Sequence, residues 1–394
     1  SGTPKWLFSM IRSVCFTALL LVSAADVSDL SRSSFEVPLR RGLVLPPRFS
    51  KPMPTTTIRG ARTWTSAKVP AAAMSSALKS VSFDADALAH AVYVAGEGGV
   101  VAKAPVDGGG KPLVFTTVKN AGFPSYYYGV VARHEKVLVT GFEDGAAGQL
   151  GIALSSADGG KTWSESTTVD NTTWLGGPIR CVGHNGSRCI VPSATSTSIY
   201  TTDAGLVAAG PWTKVIAGNG WHAGAFVAND ATVRIVGVQD CTSKDRGSSF
   251  TCVDAIDSVF DNGIAIDEAS GIGLSGGGSI SPTLSGWVHT SSDRGQTWAT
   301  KRALTAPFPV RFVGVYNDVR VAAGGDFNSG VGGIYTSKDG VKWTLEVDAG
   351  VEISECDGTV LSVDVKEGEE SKSVLVVCAG SSHSGSKIFS ALFN

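Results

Sequence analysis

Charge is scarce in this 394-residue chain: Asp, Glu, Lys and Arg make up 17% of it, and the formal net charge is −2. Without a basic surplus the chain lacks the electrostatic footprint of a nucleic-acid binder, and no nucleic-acid partner is expected. Long apolar runs are missing too. The apolar stretch at residues 14–22 (VCFTALLLV) is far shorter than the ~20 residues that cross a bilayer. No C-x-x-C pair occurs and the six histidines do not cluster, so neither a metal site nor a cofactor is expected.

What is present is glycine, 48 residues of it, in a chain long enough to bury a sizeable core. The run at 14–22 follows Met10 and Arg12 and precedes Ser23-Ala24-Ala25, small residues suited to cleavage. It reads as a secretory signal peptide from Met10, with residues 1–9 upstream of it; a membrane anchor is the rival reading. Apart from Cys15, six cysteines remain, in three local pairs, which suits an oxidising compartment. Asn171-Thr172-Thr173 and Asn185-Gly186-Ser187 are glycosylation sequons. A secreted monomer with no membrane span in the mature chain is therefore expected. Residues 26–61 are rich in Ser, Pro and Thr, and from 37 to 62 carry Arg40, Arg41, Arg48, Lys51, Arg59 and Arg62 with no acid. Such composition buries no core. It fits a linker, a pro-segment with a dibasic site, or a transit peptide leading to a plastid lumen.

One stretch recurs along the rest. Residues 156–163 read S-x-D-x-G-x-T-W, and residues 291–298 match every fixed position. Residues 243–250 keep the frame with Phe250 for Trp, residues 337–343 are one residue short, and residues 201–205 reach Trp212 only after an insertion. Asp107 marks a weak further copy. An Asp accepting backbone N–H groups, a Gly at positive φ and an aromatic beneath them predict a tight turn between antiparallel strands. The positions Asp107, Asp158, Asp203, Asp245, Asp293 and Asp339 are 51, 45, 42, 48 and 46 residues apart, a spacing that predicts propeller blades.

The stretch resembles the Asp-box (BNR) repeat, shared by sialidases, xyloglucan hydrolases, sortilin-type receptors and photosystem II assembly factors. The resemblance implies an all-β propeller whose boxes join the outer two strands of each blade, on the face away from the ligand. Seven further polar turns between apolar strand pairs, such as 134–136 and 317–319, set the blade number at seven. The domain layout expected is 1–25 signal region, 26–61 linker and 62–394 propeller. The last blade lacks a strand, and Gly60-Ala61-Arg62-Thr63-Trp64 copies the tail of the box, so an N-terminal strand around 62–69 is expected to close the ring. Cys181 and Cys189 straddle one hairpin, Cys356 and Cys378 another, and Cys241 and Cys252 flank a box turn, which predicts three disulfides within blades.

The opposite face is expected to bind. Its loops carry Phe123, Tyr126, Tyr127, Tyr128, Trp174, Trp221, His222, Phe260, Phe308, Phe142, Trp287, Asp326, Phe327 and His383. Arg180 and Arg311 open innermost strands three blades apart and could either clamp an acidic group at the channel mouth or bridge to a neighbouring blade. Aromatics with a few fixed polar groups suit a glycan or protein ligand; each ring is equally able to wedge neighbouring blades. Sialidases need an arginine triad with an F/Y-R-I-P stretch, which is absent. Glycoside hydrolysis in general needs two carboxylates about 5–10 Å apart, for which Glu97, Glu143, Asp144, Asp261, Asp326 and Glu352 are candidates. The expectation is a non-catalytic binding propeller, with a glycosidase or a plastid assembly factor as alternatives.

Overall fold

In the computed structural model the described residues run from Trp64 to Phe393, leaving out 85–89, 107–112, 146–147, 172, 183–185, 194–195, 217–221, 228–231, 238, 255–260, 268–269, 280–282, 364–370 and 383–384. Seven four-stranded antiparallel sheets follow one another along the chain. The innermost strands are Leu78–Asp84, Ser125–Arg133, Arg180–Val182, His222–Val227, Asp261–Ile266, Val310–Tyr316 and Glu352–Val363, opening blades 1 to 7. The seven-bladed propeller predicted from the repeat is the fold observed. Apolar residues from facing blades form the core, as where Val81, Val92 and Val94 of blade 1 pack against Val377 and Ile388 of blade 7.

Ring closure also follows the expectation. Thr65–Ser66 pairs with the C-terminal strand Gly385–Phe393, Thr65 opposite Ser390 and Ser66 opposite Phe389. The Thr65 hydroxyl donates to the Ser390 carbonyl at 3.3 Å, and the Ala67 N–H to the Ile388 carbonyl at 2.9 Å. Trp64 meets Phe393 edge-on at 5.9 Å. Arg62 and Thr63, part of the expected strand, lie outside the described residues. The paired cysteines are 181–189, 241–252 and 356–378, each joining residues directly opposed on adjacent strands.

The repeated turns sit at the ends of third strands and share one construction. At the first, Ser156 Oγ lies 2.8 Å from Asp158 Oδ1 and accepts the Gly160 N–H, while Asp158 accepts the Thr162 N–H at 2.8 Å and its hydroxyl at 2.6 Å. Gly159 and Gly160 take φ of 69° and 89°, where a Cβ is strained. Trp163 Nε1 donates to Gly160 and to Val118 of the preceding blade, so the ring ties two blades together. Asp245, Asp293 and Asp339 repeat the pattern. Asp203 differs: its carboxylate faces Arg188 at 3.2 Å, and Thr202 Oγ1 accepts the Ala204 N–H. The Asp107 copy lies outside the described residues. Hydrogen bonds from Thr162 and Thr297 hold Asp158 and Asp293 near pKa 2, and backbone N–H groups do the same for Asp339.

Deleting the chain through Ser66 bares the edge of blade 7. The truncated protein is expected to melt several degrees lower by calorimetry and to aggregate on heating; an unchanged melting temperature counts against the closure.

Candidate functional site

Because the repeated turns end the third strands, the opposite face carries the starts of first and third strands and the ends of second strands. On this face the first strand is bulged in six blades, the ladder shifting register around Lys79, Tyr128, Ala223, Asn262, Arg311 and Ser354. A bulge re-aims the extra residue. Arg180, first residue of its strand, holds the matching place in blade 3 by its Pro-x-Arg sequence. The channel mouth is thus ringed by a bulge register in which blades 1, 3 and 6 supply a cation.

Each of those cations holds a carboxylate. Lys79 lies 3.4 Å from Glu97, Arg311 Nε 3.0 Å from Glu352 of the next blade, and Arg180 Nη2 2.6 Å from Glu355. The last pair joins blade 3 to blade 7 across the channel. Burial alone would lower the Arg180 pKa, but Glu355 and then Asp357 outweigh it, and the net direction is up. Lys79 lies between two rings, 5.6 Å from the Tyr128 centroid and 5.7 Å from that of Phe327. The anion clamp expected of Arg180 and Arg311 therefore starts from two closed ion pairs, and a ligand carboxylate would have to displace Glu355 or Glu352.

Deeper in the channel, side chains of one blade cap the free inner edge of the next. Glu355 accepts the Val81 N–H at 3.1 Å and the Ser80 hydroxyl at 2.6 Å, and Asp357 accepts the Phe83 N–H at 2.9 Å. Ser80 and Ser82 accept the Val130 and Ala132 N–H groups, and Asp84 those of His134 and Glu135 at 2.8 and 2.6 Å. Tyr316 lies flat against Gly358, whose added Cβ would stand 2.5 Å from the ring, and donates to the Cys356 carbonyl at 3.4 Å. Burial raises the Asp357 pKa to about 6, against the opposing pull of Phe83 N–H and Arg180. None of Glu355, Asp357, Tyr316 or Lys79 was singled out from sequence; the alternation Ser80-x-Ser82-x-Asp84 in an apolar strand was the available signal.

Outside the mouth the face carries a row of rings. Phe142 stacks between Tyr126 (4.5 Å, 10° between planes) and Trp174 (4.6 Å, 15°), and Phe123 meets Tyr126 edge-on at 5.7 Å. Tyr126 and Phe142 are opposed on adjacent strands, Trp174 comes from the loop leading to blade 3, and its Nε1 donates to Gln149 Oε1. Phe142 is 1% exposed and Phe123 68%. Glu143 accepts from Ser125 Oγ at 3.1 Å, and Asp144 from Gln149 Nε2 at 2.9 Å.

Other expected site residues fall elsewhere. Trp287 is buried at 2% exposure, with Arg302 of the same blade over its ring at 4.5 Å, and so is not part of the exposed face. Phe308 and Tyr127 are likewise buried. Asp326, 8% exposed, accepts the Ser329 N–H at 2.8 Å and so shapes its own hairpin. Trp221, Phe260 and His383 lie outside the described residues, as do the side chains of His222 and Asp261. Among the described residues no group of His, Cys, Asp or Glu is placed to hold a metal ion, and no helix is long and apolar enough to cross a membrane.

Substituting Asn for Asp357 tests the channel chemistry. A carboxyl with a raised folded pKa stabilises most below its unfolded value of about 4 and loses that contribution as pH rises through about 6. The stability of the wild type relative to Asp357→Asn is expected to fall across pH 4 to 6.5 and then level off, by thermal melts. A constant difference contradicts the assignment.

No protein-family model matches the chain, and no curated protein matches it. Solved structures do. The chain is similar to YCF48 bound to a D1 peptide, at 14% identity over 84% of this chain and 97% of that one, TM-score 0.52. It is similar to YCF48 from Cyanidioschyzon merolae at 16% identity over 83% and 98%, TM-score 0.52. The WD40 propeller domain of Doa1 aligns at 14% identity over 84% and 97%, TM-score 0.54. At these identities the likeness is one of fold: the chain is a seven-bladed propeller built like both groups.

Proposed function

We propose that this chain is a non-catalytic binding propeller that recognises a segment of a partner protein on the face away from the repeated turns. The observation that carries the reading is the row Phe123, Tyr126, Phe142 and Trp174, exposed at its Phe123 end and centred on Tyr126 and Phe142, which are opposed on adjacent strands. Large rings of this kind anchor protein interfaces. A propeller of the same fold, YCF48, is known with a D1 peptide bound. A glycan is the less suitable ligand, because sugars stack on open ring faces, and both faces of Phe142 are covered. Catalysis is disfavoured because the candidate carboxylates Glu97 and Glu352 are ion-paired and Asp326 shapes a turn. The repeated turns are assigned to the Asp-box class, and their role is structural. We place the protein in an oxidising compartment, extracellular or a plastid lumen, in keeping with its three disulfides. The ring closes on itself, which suits a monomer.

Selection of a displayed random-peptide library, followed by hydrogen exchange on the purified complexes, tests the reading. Selected peptides are expected to protect residues 121–128, 141–145 and 173–176. Protection confined to the turn face, binding only on a parallel glycan array, or glycoside turnover contradicts it.

A further inference from the structure

We propose that the segment recognised is basic and proline-containing, laid in polyproline II form along the row from Phe123 to Trp174. This rests on the reading that the face binds a protein segment, and it adds the chemistry of that segment.

Charge decides the sign. The cations at the channel mouth, Lys79, Arg180 and Arg311, each hold a carboxylate at 3.4, 2.6 and 3.0 Å, so the mouth offers an acidic segment little net attraction. Beside the rings the balance is reversed. Glu143, near the end of the second strand of blade 2, is held by the neutral Ser125 hydroxyl, which leaves its negative charge in place. Lys or Arg of a bound segment reaches such a carboxylate while its stem or guanidinium lies on an aromatic surface.

Ring geometry decides the conformation. Steps of 5.7, 4.5 and 4.6 Å between centroids set the rings in sequence, and because Phe142 is 1% exposed the surface of the strip is formed by Phe123, Tyr126 and Trp174, with a gap over the buried ring. Such a strip matches about five residues of polyproline II at ~3.1 Å each. That helix has no internal hydrogen bonds and is stiff before it binds, so little ordering entropy is lost, and proline rings fit between aromatic ridges.

Three labelled probes test the proposal by fluorescence anisotropy: peptide amides of four Pro-Pro-Arg repeats, four Pro-Pro-Glu repeats and four Ala-Ala-Arg repeats. The Pro-Pro-Arg probe is expected to bind, at least ~10-fold more tightly than either other. Phe123→Ala, at an exposed position that leaves the fold intact by circular dichroism, is expected to weaken it ~10-fold or more. Glu143→Gln is expected to weaken it several-fold and flatten its salt dependence. Arg311→Gln is expected to change it by less than about twofold. Tighter binding of the Pro-Pro-Glu probe, abolished by Arg311→Gln, overturns the proposal in favour of an acidic segment at the mouth. Equal binding of the Ala-Ala-Arg probe overturns the proline requirement. Binding of none of the three, when library-selected peptides do protect this face, overturns the chemistry while the docking face stands; failure of the selection itself removes the face.

Discussion

Seven sheets meeting at one axis leave seven inner strand edges with no further strand to pair, and this constraint shapes the centre of the protein. Unpaired N–H groups in a channel are costly unless something accepts them. At two junctions the acceptors are visible. Glu355 and Asp357 of blade 7 take the Val81 and Phe83 N–H groups of blade 1, and Ser80, Ser82 and Asp84 of blade 1 take those of blade 2. The charge this puts into the channel draws in a counter-charge. Glu355 takes Arg180 from blade 3, so an edge-capping carboxylate also fixes a cation that would otherwise face outward.

The two faces of the ring divide the work as a result. On one, the carboxylates of Asp158, Asp245, Asp293 and Asp339 accept the hydroxyl and N–H groups of their own turns, and Trp163 ties its turn to a strand of the preceding blade. These are inward-directed contacts that hold the rim. On the other, bulges re-aim side chains toward the axis and their charges pair there. What remains directed outward is aromatic surface with carboxylates beside it. The proposed recognition by rings and a local negative charge uses the groups that the sealing of the axis leaves outside it.

Legibility in the sequence followed locality. The turn of residues 156–163 is self-contained, so its motif announced its structure, and its spacing announced the blades. The closing strand was legible because Trp64 ends a copy of the box tail, and the disulfides because each pair lies within one hairpin. The Arg180–Glu355 pair joins residues 175 apart and has no local mark. Placing Arg180 at the mouth, as a clamp or a bridge between blades, was possible from Pro-x-Arg; choosing between the two and naming Glu355 as the partner was not. Trp287 follows the Gly/Ser-rich run at 275–286, whose composition resembles an exposed loop and hides the burial of the ring. In the fold the first part of that run belongs to the strand Gly273–Ser279, with Gly277 directly opposite Trp287. Asp203 kept the motif's letter but not its bond: the insertion before Trp212 alters the turn, and the carboxylate meets Arg188 on the neighbouring strand.

The claim on which the rest turns is that Arg180 is held inside the channel by Glu355. A double-mutant cycle of Arg180→Met and Glu355→Gln, read by denaturant unfolding, addresses it directly; Gln keeps an acceptor for Val81 and Ser80. With Glu355 buried and Arg180 29% exposed, each single change is expected to cost ~2 kcal/mol, and the double change to cost less than their sum by at least ~1 kcal/mol. Small, additive costs would contradict the account, since they would mean that the guanidinium is free to meet a ligand.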